Sequence, residues 1–422
     1  MTLALGIDVG TSGVRTAVRD RDGAVLSMAR TDHLPQDPDW IDAALWWEAV
    51  ETCIRTQVDS LRADGRDPLE ITGIAVDGTS GTMVLTDAQL EPVTRALMYN
   101  SKGFELEAAR IARAAPPVHI ARGSSSALAR AMRLVGEDTG GSARHLLHQA
   151  DYVAAKLTGR GGESDDNNAL KTGYDPGSAT WPDWLDQIGF PVSVLPNVGA
   201  PGSDLGPIRP GLADELGLSR EAMVRRGTTD SIAAFLAAAD PVPGVAVTSL
   251  GTTLAVKLMS EVRIDDPEIG LYSHRIGGAW LAGGASNTGG GVLAHYFSGA
   301  ELERLSVSID PDTPSGLDYY PLLSPGERFP INDPHLEPRL TPRPHDDAQF
   351  LKGLLEGVAQ VEALAYREIE ARGGPFPTKI VTAGGGARNM VWQSIRRRII
   401  GVDIVPSAEG EAAAGAAKLA AD

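Results

Sequence analysis

The strongest constraint in this sequence is a short hairpin that occurs twice. Leu3-Ala4-Leu5-Gly6-Ile7-Asp8-Val9 is an apolar run with one embedded carboxylate. It breaks into Gly10-Thr11-Ser12-Gly13, and Val14-Arg15-Thr16-Ala17-Val18 resumes as a strand. Val245-Ala246-Val247-Thr248-Ser249-Leu250, the turn Gly251-Thr252-Thr253, and Leu254-Ala255-Val256-Lys257-Leu258 repeat the design. A Gly/Thr/Ser turn exposes backbone N–H groups and hydroxyls that bind a phosphate, while a carboxylate beside it faces a cation or its waters. Two such turns on matching strands imply a duplicated domain that grips a nucleoside triphosphate from both sides.

A chain of 422 residues is long enough for two full cores. The net charge of −17 excludes nucleic acid and anionic membranes as natural partners. Arg396-Arg397-Arg398, the one basic cluster, falls in an amphipathic pattern and is expected to be a solvated helix face. Cys53 is the only cysteine, so an internal disulfide and a cysteine-rich metal site are both impossible. It is expected to be a small buried helix residue. The N-terminal apolar run is short, contains Asp8 and lacks a basic flank, unlike a signal peptide. No stretch approaches the ~20 apolar residues of a membrane span. A soluble cytoplasmic protein is expected.

The pattern predicts strands near 3–9, 14–20 and 24–30, a helix from Leu45 to about Leu61, and a buried strand at 71–77. The segment 100–225 is helical but rich in Gly, Ser and Pro, and 121–141 and 158–166 carry no clear pattern. A helix opens at Asp230-Ser231, and Asp240-Pro241-Val242-Pro243-Gly244 is the best inter-domain breaker. Beyond it come the 245–259 hairpin, a strand near 279–282, helices around 289–297, 347–372 and 388–399, strands at 379–383 and 402–405, and a final Ala-rich helix from about Glu409. The proline-rich 300–345 segment is expected to be an extended surface excursion. Trp40, Trp46 and Trp47 are expected in the core beneath a loop, and His33, His119 and His145 at the surface.

With both hairpins and the loop Thr382-Ala383-Gly384-Gly385-Gly386-Ala387-Arg388-Asn389 in view, the chain resembles the FGGY carbohydrate kinases of the actin and hexokinase superfamily. Trp40 to Trp47, Gly227-Thr228-Thr229-Asp230-Ser231 and Gly384 to Trp392 also match, in order. Within the family it looks closest to the compact D-ribulose kinases of cyanobacteria and plant plastids, through 74–82, 227–237 and 315–322. The resemblance implies an α/β fold of two RNase-H-like domains, 1–237 for sugar and 238–410 for ATP, with a cleft for both between them. The helix 411–422 is expected to pack back on the first domain. Three segments depart from the family pattern. Ser80-Gly81 stands where xylulose kinases carry a Met-His sugar contact, Tyr99-Asn100-Ser101-Lys102-Gly103 replaces a Trp-x-Asp-x-Arg segment, and Leu128 to Arg133 is a degraded first signature.

The resemblance makes Asp230 the general base; spacing alone leaves catalysis and helix capping equally open. Asp8, a costly lone carboxylate in an apolar strand, is expected to face Mg²⁺ through water and to touch the sugar. Its bland alternative is bonding to backbone amides. Gly10, Thr11, Ser12, Gly251 and Thr252 are expected to bind phosphate, and Ser12, Gly13 and Ser80, with Asp8 and Asp230, the sugar. Gly385, Gly386, Asn389 and Trp392 are expected at the adenosine, although a tight turn also accounts for the glycines and core packing for Trp392. Asp165, Asn168 and Lys171 match a polar segment near the sugar. The implied reaction is phosphorylation of the terminal hydroxyl of D-ribulose by ATP with Mg²⁺. The alternatives are D-xylulose, L-ribulose or another polyol as acceptor, a non-kinase ATPase of the same superfamily, or a degenerate kinase.

Overall fold

The computed structural model describes residues 2–37 and 40–421; Pro38 and Asp39, in the Asp37–Trp40 acidic segment, lie outside the described residues. The chain forms two compact units, Met1–Ala237 together with Glu411–Asp422, and Ala238–Gly410. No described helix is long and apolar enough to cross a membrane.

The strands of the first unit are β1 (Leu3–Val9), β2 (Gly13–Arg19), β3 (Val25–Asp32), β4 (Ile71–Gly78), β5 (Met83–Thr86), β6 (His145–His148), β7 (Glu163–Asp165), β8 (Asn197–Gly199), β9 (Asp204–Pro207) and β10 (Met223–Thr229). The main sheet runs β3-β2-β1-β4-β10-β9, and β5–β6 and β7–β8 form two small pairs. β1, β4 and β10 are parallel, whereas β1–β2 and β2–β3 are antiparallel hairpins. Seven consecutive buried residues in β1 reflect a strand covered on both faces.

One covering helix is Ala44–Ala63, which buries Trp46, Cys53 and Ile54. The other cover is the terminal helix Ala412–Ala420. Its alanines let it approach so closely that a Cβ on Gly6 would stand 2.0 Å from the Ala413 carbonyl oxygen, and one on Gly73 1.9 Å from that of Ala420. Of the three tryptophans expected in the core, Trp46 is there, Trp47 is half-buried, and Trp40 is 62% exposed. The 121–141 stretch contains the helix Ala127–Glu137, capped by Ser126. Leu128, Ala131, Met132 and Val135 recur at helical spacing, a stripe that the short helix and its Gly/Ser-rich flanks left unread in the sequence.

The second unit contains β11 (Val245–Leu250), β12 (Leu254–Ser260), β13 (Tyr272–Ile276), β14 (Ala279–Ala285), β15 (Lys379–Ala383) and β16 (Asp403–Pro406), ordered β13-β14-β12-β11-β15-β16. Two antiparallel steps followed by two parallel ones, β14-β12-β11-β15-β16, reproduce β3-β2-β1-β4-β10. The duplication read from the hairpins therefore extends to five strands.

One expectation holds only in part in this unit and another fails. The 300–345 segment is mostly exposed and irregular, as expected of a surface excursion, but it is anchored to the unit. Tyr319, Tyr320, Leu322 and Phe329 are buried in the core beside the helix Asp347–Ala371. Arg396 is not solvated: it is wholly buried, and its guanidinium meets Glu362 at 2.6 and 2.7 Å and Thr382 Oγ1 at 2.7 Å. A periodic pattern cannot distinguish a charged residue facing water from one whose counter-charge lies on a neighbouring helix.

Candidate active site

In the first unit three parallel strands end side by side, and each brings a carboxylate. β1 supplies Asp8, β4 places Asp77 opposite it, and β10 pairs Thr228 with Asp77 two residues before Asp230. The carboxyl ends of parallel strands are where open α/β sheets bind ligands. Asp8 is 6% exposed and Asp77 fully buried. Asp230 opens the helix Asp230–Ala238, is half-buried, and accepts the Ser231 amide at 2.6 Å.

Burial pushes the Asp8 carboxyl up, against the opposing effects of its hydrogen bond with Asp77 and the charge of Arg15. Asp77 is pushed well above the ordinary range by complete burial and by the charges of Asp8 and Asp230. No described donor reaches either Asp77 oxygen. Burial and the two neighbouring charges thus favour the protonated form of Asp77, with Asp8 the partner across the strands. Arg15 Nη1 stands 3.6 Å from Asp8 Oδ2, so the counter-charge expected from Mg²⁺ is partly internal.

The first turn is held at both ends. The Gly10 amide donates to Gly13 O at 2.9 Å, and the His33 amide donates to Ser12 O at 3.0 Å. His33 Nε2 lies 3.0 Å from Gly10 O. A carbonyl only accepts, so Nε2 carries the hydrogen and Nδ1 is left as an acceptor. His33, expected at the surface, is thus a half-buried brace of the turn; His119 and His145 are also partly buried. Gly13 owes its missing side chain to β3, where a Cβ would stand 2.4 Å from Thr31 O.

Thr11, Ser12, His33, Gln36, Asn100 and Ser101 line a 490 Å³ cavity floored by Trp46 and Met98. Its lining includes neither Asp8 nor Asp230 nor Ser80. Ser80, just past β4, has a buried hydroxyl without a described partner. Asp165 and Asn168 are 1% exposed and engaged with each other. Asp165 accepts the Asn167 and Asn168 amides at 2.8 and 3.1 Å and Asn168 Nδ2 at 2.6 Å, capping the helix Asp166–Thr172. The structure gives these two a structural task. Burial and the charge of Asp151 raise the Asp165 carboxyl to about 7.

In the second unit a 710 Å³ cavity is lined by Gly251, Thr252, Gly385, Gly386, Asn389 and Trp392, all six expected at ATP in this half of the chain. Gly385 leaves open space where its Cβ would be. Asn389 caps the helix Met390–Ile400 through the Trp392 amide at 3.0 Å, and its Nδ2 donates to Ser306 Oγ at 2.9 Å. Trp392 belongs to the core and also lines the cavity, with Nε1 donating to Leu355 O at 3.1 Å.

The N-terminal region, residues 3–120, matches the FGGY family of carbohydrate kinases, N-terminal domain, and residues 246–421 match its C-terminal domain. The chain belongs to the FGGY family of carbohydrate kinases. It is 28% identical to a xylulose kinase of Streptomyces coelicolor, across 99% of this chain and 87% of that protein. A xylulose kinase from Brucella ovis superposes with a TM-score of 0.86 at 25% identity, covering 99% of this chain and 90% of that one. Plasmodium falciparum glycerol kinase with ADP shares the fold, with a TM-score of 0.83 at 16% identity over 100% and 89% of the two chains.

Sequence reasoning missed Asp77, His33, Gly290 and Gly291, which the geometry sets beside Asp8 and the two turns. The last two donate their amides to Gly251 O and Thr252 O at 2.9 Å each and so brace the second turn. An aspartate paired in register with Asp8 is visible only once β1 and β4 are known to adjoin. The Gly289-Gly290-Gly291 run was the one local signal available. Among the described residues no group of three or more His, Cys, Asp or Glu side chains is arranged to hold a metal by itself. Magnesium carried on ATP needs only one or two carboxylates, and the buried Asp8, with Arg15 beside it, is a carboxylate at the end of β1 that could face one through water.

Proposed function

We propose that this chain transfers the γ-phosphoryl group of ATP to the terminal hydroxyl of a pentulose, with D-ribulose as acceptor and D-ribulose 5-phosphate as product. The convergence of Asp8, Asp77 and Asp230 at the ends of β1, β4 and β10 carries the reading. Asp230 takes the hydroxyl proton while the acceptor oxygen bonds to the γ-phosphorus and the bond to the bridging oxygen breaks, releasing ADP. Asp8, its charge kept by the proton on Asp77 and by Arg15, orients the acceptor and the waters around the phosphates. Amides and hydroxyls at Gly10, Thr11 and Ser12 in the first unit, and in the second unit those at Gly251 and Thr252, are donors suited to phosphate oxygens. Bound Mg²⁺ supplies neutralisation of the phosphate charge. Gly385, Gly386, Asn389 and Trp392 hold the adenosine.

The choice of D-ribulose is supported by Ser80-Gly81 in place of a Met-His sugar contact and by the long matches at 74–82, 227–237 and 315–322. D-xylulose is the second reading, supported by the names of the relatives above. The test is coupled ADP release with Mg-ATP against D-ribulose, D-xylulose, L-ribulose, glycerol and no acceptor. The proposal expects the highest kcat/KM for D-ribulose and a fall of at least ~100-fold in kcat for Asp230→Ala. A preference for D-xylulose overturns the substrate, and acceptor-independent ADP release indifferent to Asp230→Ala overturns the reaction.

A further inference from the structure

The three segments that depart from the family pattern meet at one side chain. Arg130, on the helix Ala127–Glu137, is 3% exposed. Its Nε donates to Gly81 O at 2.8 Å, and its Nη1 donates to Tyr99 O at 3.1 Å and Ser125 O at 3.0 Å. All three partners are carbonyls, and among the described residues no carboxylate pairs with this guanidinium. Burial lowers its pKa to about 10. Retaining a buried charge on neutral dipoles is costly, so a purely space-filling role would be served better by an apolar residue.

The bonded carbonyls belong to residues that adjoin Ser80 and the lining of the 490 Å³ cavity. Gly81 follows Ser80, whose hydroxyl is buried and unpartnered, and turns the chain at φ 81°. Tyr99 precedes Asn100 and Ser101, which line the 490 Å³ cavity with Thr11 and Ser12. The Tyr99 amide donates to Thr82 Oγ1 at 2.9 Å, so the two segments are also tied directly. A planar guanidinium with donors in fixed directions can hold separate carbonyls in one geometry, which a single ammonium cannot.

We propose that Arg130 is the positioning residue for acceptor selectivity, fixing Ser80-Gly81 and Tyr99-Asn100-Ser101 as one rigid acceptor wall. This rests on the reading of the chain as a pentulose kinase. The test compares Arg130→Met, Arg130→Lys and the unaltered protein in three measurements: KM for D-ribulose and D-xylulose, KM for ATP, and amide hydrogen exchange. Arg130→Met is expected to raise the KM for the preferred pentulose at least tenfold, to narrow the ratio between the two pentuloses, and to leave the KM for ATP within twofold. Arg130→Lys, which restores the charge and part of the bonding, is expected to recover a portion of that loss. Amides at 80–82 and 99–101 are expected to exchange faster in Arg130→Met, with those of 251–253 unchanged. A pentulose KM within twofold of the unaltered protein overturns the proposal, as does an equal rise in the KM for ATP. If the unaltered protein phosphorylates no pentulose, the kinase reading fails by itself. The exchange data then decide alone: faster exchange confined to the two segments upholds the positioning role, and no change overturns it.

Discussion

Asp8 and Asp77 face each other across the adjacent parallel strands β1 and β4, and burial pushes both carboxyls up, Asp77 the further. In a dry site two like charges this close cannot both persist, so the more buried partner becomes the acid and the other keeps its charge. Asp77 thereby acts as a hydrogen-bond donor, a task an amide can also perform. Asp77→Asn is therefore expected to keep kcat within ~10-fold, and Asp77→Leu, which leaves the Asp8 charge without its donor, to cost more than ~10-fold. Steady-state kinetics on the two variants, with circular dichroism to confirm folding, checks this. Equal kcat in both would show that the pair has no bearing on turnover.

The second-unit cavity can be blocked without disturbing the protein around it. A Cβ on Gly385 meets no atom within 4 Å, whereas one on Gly386 would stand 2.7 Å from Leu250 Cβ and 2.8 Å from Trp392. Gly385→Leu is expected to leave the Tm within a few degrees and to raise the Kd for ATP by at least ~10-fold, about 1.4 kcal/mol. Calorimetric titration with Mg-ATP measures the second quantity. Unchanged affinity would move the nucleotide out of this cavity.

Arg396 and Glu362 form a wholly buried pair in the second unit, with Thr248 Oγ1 also donating to Glu362 at 2.5 Å. Removing only the cation strands a carboxylate in the core. Arg396→Met is expected to destabilise the protein by ~3–5 kcal/mol, and the double variant Arg396→Met/Glu362→Leu by less. Urea denaturation of the two variants tests the ordering.

Asp165 makes stability depend on pH. Its folded pKa of about 7 lies above the ordinary carboxylate value, about 3.9, so between these values the native state binds more protons than the unfolded chain. The protonated cap is the stable form, and stability falls as pH rises through about 7. Asp77, raised in the same direction, adds to the trend. Urea midpoints should decline between pH 5 and 8, and Asp165→Asn should flatten the decline. A midpoint that rises over this range would contradict the assignment.

Local pattern made much of this protein legible. The Gly-Thr turns, the strand around Asp8, the helix at Asp230 and the loop at 384–389 were readable because turn chemistry and hydrophobic period are written in neighbouring residues. The six residues expected at the nucleotide in the second unit fall in one cavity for the same reason. Tertiary structure decided what depends on partners distant in sequence. Asp77 joins Asp8 through a pairing 69 positions away, and Arg130 reaches Gly81 and Tyr99, 49 and 31 positions away, from its own helix. His33 braces Gly10 across the β2–β3 hairpin, and Arg396 finds Glu362 on another helix. A charged or polar side chain looks the same in sequence in water or against a buried partner. Only the packing that removes the water, and brings up the atom that replaces it, separates the two.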